Sequence, residues 1–310
     1  MTRRLVIGSR GSKLALAQST MIRDQLTEAN PEVVIDIKII KTTGDIKNDP
    51  LSVIGGKGVF TRELEEALLD RRIDIAVHSL KDLPTVIPEK LQLSAICQRE
   101  DPRDALIMAS GATTPVSVRT LKISAVIGTS SPRRAAQLGF LRSDLVIKDL
   151  RGNIDTRLRK LDEGQYDALV LAAAGLRRLS IPDRISSLIS TDEMLPAVCQ
   201  GAIGLETRCD DDFTKSIVAK VDHLTTRLAC LAERAFLRAL GGGCQLPIAG
   251  HAIVQLDQIH IDGLVAHPGG KRMIRERLSG PADSAEQMGS DLGNLLLDQG
   301  AKSLLRAFAP

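Results

Sequence analysis

The chain has 310 residues, 43% of them apolar and 25% charged, and its 41 Lys and Arg against 38 Asp and Glu leave a net charge of +3. That is globular usage for two or three domains, and it excludes a disordered, collagenous or disulfide-scaffold chain. The longest apolar run, residues 168–176, falls far short of the roughly 20 that span a membrane; with five Phe, one Tyr and no Trp, the chain also lacks the ring platforms on which single-stranded nucleic acid stacks.

In chain order, 5–8 reads as a strand, 12–29 as a helix with Ser12 as N-cap, and 33–40 as an alternating strand. Residues 42–57 contain Gly44, Pro50, Gly55 and Gly56 and read as a mobile loop. A helix over 59–69 and a strand over 73–77 follow. A second series runs strand 124–127, helix from Pro132, strand 145–147, helix 154–161, strand 168–171. Strands separated by helices predict mostly parallel sheets with flanking helices, in two α/β lobes. From about 219 the pattern changes. A helix over 223–240 ends at Gly241-Gly242-Gly243, then alternating runs at 248–254, 258–265 and 271–278 and a helical tail from Ser284 predict a smaller α+β domain with an antiparallel sheet. The expected domains are 1–99 with 196–218, then 100–195, then 219–310.

Neither a secretory signal nor an organellar leader is recognisable at the N-terminus. The five cysteines (Cys97, Cys199, Cys209, Cys230 and Cys244) form no C-x-x-C pair and have no histidines at zinc spacing. The expectation is a cytoplasmic protein without a structural metal.

Ligands of open parallel sheets bind beyond the carboxyl ends of the strands. After strand 73–77 comes His78-Ser79-Leu80-Lys81-Asp82-Leu83-Pro84, where Asp82 reads either as a solvated ion pair with Lys81 or as a group that moves a proton or stabilises a cation. After strand 124–127, Gly128-Thr129-Ser130-Ser131-Pro132-Arg133-Arg134 reads as a turn into a helix start. Its arginines oppose the helix dipole and so require an acidic partner or a bound anion. Arg151 and Arg157 follow the next strand, Arg177 and Arg178 the one after, and Arg10 sits in the first strand–turn–helix. Residues 122–178 hold 11 basic and 6 acidic side chains, a net +5. Four arginine-bearing strand ends predict a polyanion pocket, for a polycarboxylate, a phosphate or nucleic acid; the scarcity of rings and the modest charge argue against the last. Gly55-Gly56-Lys57-Gly58-Val59-Phe60 reads as a lid or hinge, with a phosphate site as the second reading, since the P-loop spacing is absent. Gly241-Gly242-Gly243-Cys244 gives a thiol either buried at a turn or exposed as a nucleophile or attachment point.

Together, SRGSKLALAQ, GGKGVFTRELE, HSLKDLP, REDPRDA, GTSSPRR, LRGNIDTRL, LAAAGLRRL, PAVCQGAIGLE and GGGCQLPI, in this order over residues 9–248, resemble the porphobilinogen deaminase (hydroxymethylbilane synthase) family. The resemblance implies two lobes like those of bilobal binding proteins plus a third domain. It implies a transferase that deaminates four porphobilinogen molecules and condenses them stepwise onto a dipyrromethane primer, releasing hydroxymethylbilane and ammonia. On this resemblance Cys244 carries the dipyrromethane through a thioether and Asp82 is the catalytic carboxylate. Arg10, Ser12, Lys81, Ser131, Arg133, Arg134, Arg151, Arg157 and Arg178 bind the carboxylates of substrate and cofactor, while Lys57 and Phe60 lie on a mobile loop near the cleft. It also implies a monomer whose partner is porphobilinogen, with no metal, nucleic acid or membrane. A bilobal anion-binding module without catalysis is the alternative. Two residues depart from the family pattern: Pro132 where leucine is common, and Cys199 where glycine is often found.

Overall fold

The structure is a computed structural model describing residues 3–42, 61–110, 116–243 and 245–307. The chain begins β1 (Arg3–Ser9), α1 (Lys13–Ala29), β2 (Val33–Ile39), α2 (Arg62–Leu69), β3 (Ile75–Ser79), β4 (Leu91–Ile96). It continues β5 (Asp104–Ile107), β6 (Val126–Gly128), α3 (Pro132–Leu141), β7 (Val146–Lys148), α4 (Ile154–Asp162), β8 (Ala168–Ala172), α5 (Ala173–Arg178), β9 (Ser187–Leu188). Then come β10 (Ile203–Arg208), α6 (Asp212–Val218), α7 (Leu224–Ala239), β11 (Ile248–Gln255), β12 (Gln258–Ala266), β13 (Met273–Pro281), α8 (Ala285–Asp298) and α9 (Ala301–Arg306). Contacts divide the chain into two units, Met1–Glu100 with Ala202–Arg227 and Asp101–Gly201 with Leu228–Pro310.

The first unit is built on a five-stranded sheet ordered β2-β1-β3-β10-β4. One face packs Leu5, Ile7, Ile75, Val77 and Leu205 against Ile22 and Leu26 of α1. The other packs Ile73, Ala76 and Leu91 against Leu64, Ala67 and Leu68 of α2, whose spacing makes one apolar stripe. Helices on both faces explain why β1 and β3 read as continuous apolar runs. At Gly8 an added Cβ would run into the buried Ile73 side chain and crowd Leu64, so a larger residue there would have to displace this packing.

The second unit contains two sheets. One is ordered β7-β6-β8-β5-β9, the other is the antiparallel meander β11-β12-β13. On the meander, Gly250 pairs directly with Gly263. A Cβ on Gly263 would lie 2.7 Å from the fully buried Phe236 ring of α7 and one on Gly250 3.1 Å from it, so this glycine pair opens the slot that the ring fills.

Both five-stranded sheets are mostly parallel, as predicted, and each contains one reversed strand: β10 in the first, antiparallel to β3 and β4, and β5 in the second, antiparallel to β8 and β9. Sequence pattern missed both, together with β4 and β9. All four residues of β5 and all six of β10 are buried, including Glu206, Thr207 and Arg208, so neither strand shows the alternation that marks a half-buried strand. Several expected strands shift toward the C-terminus. The strand expected at 73–77 starts at Ile75, because Asp74 holds the preceding turn, its N–H donating to Val6 O and its carboxylate accepting the Val6 N–H. The one expected at 124–127 starts at Val126, because Ser124 takes φ 57°.

Candidate active site

In the first unit, β1 and β3 are parallel neighbours, so the turns that follow them share one sheet edge. After β1, Ser12 caps α1 by accepting the Ala15 N–H at 3.3 Å, and half-buried Arg10 stands just before it. After β3, residues Leu80–Asp82 form one 3-10 turn, closed by the Leu83 N–H donating to Leu80 O. Leu80 and Leu83 are buried; this leaves Lys81 half-buried and Asp82 exposed. The turn is anchored on two more sides. The Leu80 N–H donates to Ala202 O at 3.0 Å, and the Gln18 amide of α1 exchanges hydrogen bonds with Ser79 Oγ at 3.0 and 3.1 Å. Gln18, the last residue of SRGSKLALAQ, thus fastens that motif to HSLKDLP, a role that sequence reasoning missed.

In the second unit, β6, β7 and β8 are parallel and their carboxyl ends lead into the other predicted residues. Ser131 caps α3, with Pro132 in the first turn. Ser130 Oγ accepts the Leu150 N–H at 3.1 Å and donates to Leu150 O, tying the turn after β6 to the turn after β7. Arg133 and Arg134 are 4% and 6% exposed. Both converge on Asp104. Arg133 Nη1 donates to Asp104 Oδ2 at 2.7 Å and to Leu195 O at 2.9 Å. Arg134 reaches Asp104 Oδ1 through Nε at 3.0 Å and Nη2 at 2.8 Å, and its Nη1 donates to Val170 O. Gln200 Nε2 donates to the same Oδ1 at 2.9 Å. Burial opposes ionisation of Asp104, but the field of Arg133 and Arg134 and their hydrogen bonds outweighs it and holds the carboxyl well below the usual carboxylate range. The acidic partner demanded by two arginines at a helix start is therefore internal. One carboxylate against two guanidiniums leaves the cluster one positive charge in excess.

Arg151 is half-buried, its Nε donating to Asp149 Oδ2 at 2.7 Å. Although burial works the other way, the hydrogen bond from Arg151 and the charges of Arg151 and Arg157 hold the Asp149 carboxyl below its ordinary range. Arg157 Nε donates to Gly152 O at 2.7 Å, and Arg178 Nη2 donates to Gly201 O at 2.6 Å. The structure thus gathers Arg10, Ser12, Lys81 and Asp82 at one sheet edge, and Ser131, Arg133, Arg134, Arg151, Arg157 and Arg178 on the segments that follow β6, β7 and β8. Lys57, Phe60 and Cys244 lie outside the described residues. Flanking Cys244, Gly241 takes φ 63° and the Leu246 N–H donates to Gly243 O. The roles of Asp104 and Gln200 were missed, although REDPRDA and PAVCQGA marked their segments: nothing in sequence spacing tells which carboxylate two arginines will find.

Two family models match the chain: "Porphobilinogen deaminase, dipyromethane cofactor binding domain" over residues 5–216, and "Porphobilinogen deaminase, C-terminal domain" over residues 227–298. A porphobilinogen deaminase of Roseiflexus sp. (strain RS-1) is 49% identical over 306 residues, covering 98% of this chain and 99% of that protein. Among solved structures, similarity extends to the probable amino-acid ABC transporter extracellular-binding protein ytmK of Bacillus subtilis, with TM-score 0.42 and 11% identity over 71% of this chain and 90% of that one. The BvgS VFT2 domain of Bordetella pertussis gives TM-score 0.41 and 15% identity over 71% and 85%.

Proposed function

The chain belongs to the porphobilinogen deaminase family, and from that premise we propose that Asp82 is its catalytic carboxylate, Cys244 the attachment point of its cofactor, and the arginine-rich strand ends its carboxylate-binding surface. The protein is a transferase of tetrapyrrole biosynthesis that deaminates and condenses porphobilinogen on a dipyrromethane cofactor; the non-catalytic binding module is set aside.

Loss of ammonia from the substrate's aminomethyl group leaves a cation delocalised onto the pyrrole nitrogen. Asp82 carries the assignment because it is the exposed carboxylate on a turn fastened from several sides. Held against that N–H, it stabilises the charge as it develops and accepts the proton lost when the new carbon–carbon bond rearomatises. Each pyrrole of substrate and cofactor carries carboxylates. The chemistry of the donor set fits them: the excess positive charge of the Asp104 cluster and the half-buried Arg151, Arg157 and Arg178 are hydrogen-bond forks for carboxylates. Beside Asp82, Arg10 offers a further fork, Lys81 a positive charge and Ser12 a hydroxyl donor, and Ser131 offers another hydroxyl at the start of α3. When bound, the dipyrromethane supplies the nucleophilic pyrrole carbon that receives the first unit. Lys57 and Phe60 belong to the same proposal as residues near the cleft.

The reading further takes the protein to be a cytoplasmic monomer without nucleic-acid or membrane partners, and the chain to comprise three domains, 1–99 with 196–218, 100–195 and 219–310. Among the described residues, Cys199, Cys209 and Cys230 are free thiols, in keeping with a reducing compartment, and no helix is long and apolar enough to cross a membrane.

Asp82→Asn tests the reading. The variant should fold, hold its cofactor and keep KM within an order of magnitude while kcat falls about 10²- to 10⁴-fold. Wild-type turnover would remove Asp82 from the mechanism.

A further inference from the structure

A buried, hydrogen-bonded pair of ionisable side chains lies directly behind the proposed catalytic turn. His78 on β3 and Glu206 on β10 have side chains 4% and 0% exposed, and His78 Nε2 stands 2.9 Å from Glu206 Oε2. The antiparallel register pairs His78 with Gly204 and Ala76 with Glu206, which puts both side chains on the sheet face covered by α2. Glu65 of α2 faces both electrostatically, and burial raises its carboxyl above the ordinary range. Among the described residues, Glu206 Oε1 has no hydrogen-bond partner. On the same face, a Cβ on Gly204 would lie 2.9 Å from Leu80 Cδ1 and 2.7 Å from Leu93 Cδ1, so the first residue of the Leu80–Asp82 turn packs into the space that Gly204 leaves beside His78.

Such a pair is a poor source of stability. Desolvating two ionisable groups costs about as much as their attraction returns, and apolar replacements of similar volume are often neutral or better. Its placement supplies another use. Three residues separate His78 from Asp82, and the turn between them is short and anchored at Leu80. A small rotation of β3 about its axis therefore moves the Asp82 carboxylate, and a misplacement of about 1 Å in a reacting group can cost about 10²-fold in rate. We propose that His78 and Glu206 form a positioning pair that fixes the exit of β3 and thereby the direction in which Asp82 is presented to the substrate. The pair acts through the backbone and touches no reacting atom. The inference rests on the assignment of Asp82.

The test uses cofactor-loaded protein, with loading checked by intact mass, and compares Glu206→Gln, His78→Gln and the double variant. Both replacements keep hydrogen-bonding capacity and approximate volume. The expected result is a fall in kcat of at least tenfold in each single variant with KM within threefold of wild type. The double variant should be no slower than the worse single, since the two side chains work as one unit. Where a glutamine variant does not fold, Glu206→Asp keeps the charge on a shorter arm and should show the same split between kcat and KM. Wild-type kcat with only a lowered melting temperature, KM rising in step with the fall in kcat, or losses that simply multiply in the double variant would each overturn the pairing. If the pair variants stay fast while Asp82→Asn is slow, this inference alone fails; if Asp82→Asn is itself fast, the underlying assignment fails first.

Discussion

Cys199 is a residue whose backbone and side chain make opposite demands. It takes φ 60°, a conformation that costs a non-glycine residue about 1–2 kcal/mol. Yet it is fully buried, its N–H donates to Glu233 Oε2 at 2.5 Å, and its thiol reaches Cys230 O at 3.7 Å. Burial, followed by its bond to Cys230 and the nearby Glu233, pushes the thiol's pKa well up, so it is a packed group rather than a reactive one. The family's frequent glycine at this position has its reason in that left-handed angle. Cys199→Gly and Cys199→Ala lose the same thiol, but only glycine sheds the strain. Urea unfolding should therefore find the glycine variant more stable by about 1 kcal/mol, and equal stabilities would mean that the angle carries no strain. The need for unusual backbone here was legible in the sequence as an exchanged glycine. The thiol's neighbours were not, because Cys230 and Glu233 sit more than thirty positions away.

Among the elements, β5 and α3 are joined through Asp104, and their union explains what two arginines do at the start of a helix. Asp104→Asn keeps the shape but leaves two buried guanidiniums without a counter-charge. Loss of one partner of a buried pair costs about 3–5 kcal/mol, to be read by denaturant unfolding; a loss below 1 kcal/mol would show that the cluster contributes little. The pH dependence has a fixed sign. Asp104's carboxyl titrates lower in the folded protein than in the unfolded chain, where the value is about 3.9. Its stabilisation is therefore complete above that unfolded value and is lost as pH falls through the depressed folded one. Between pH 5 and 2 the wild type should lose stability more steeply than Asp104→Asn, and parallel curves would refute the shift. Helix α1 with its Ser12 cap, helix α3 with its first-turn Pro132, and the three strands of the meander were legible because caps and periodicity are local. Strands β5 and β10 were not, since burial on both faces erases alternation and their polar residues are matched by distant partners.

At the scale of the molecule, each of the two units carries a mostly parallel sheet whose carboxyl edge gathers side chains that the sequence had singled out, while the covalent attachment is proposed at Cys244. The edges were predictable because chain order and strand direction determine which turns share them. The pairing of Arg133 and Arg134 with Asp104 was not, because it depends on a contact made only after folding. The central claim joins these parts: a two-pyrrole group anchored at Cys244 receives porphobilinogen units one at a time. Intact-protein mass spectrometry of wild type and Cys244→Ser, before and after addition of porphobilinogen, tests it directly. The prediction is a dipyrromethane adduct on the wild type, growing on substrate addition in steps of one porphobilinogen less one ammonia, with neither adduct nor steps on Cys244→Ser. An unmodified wild-type mass in protein that turns over, or an adduct that persists without Cys244, would contradict it.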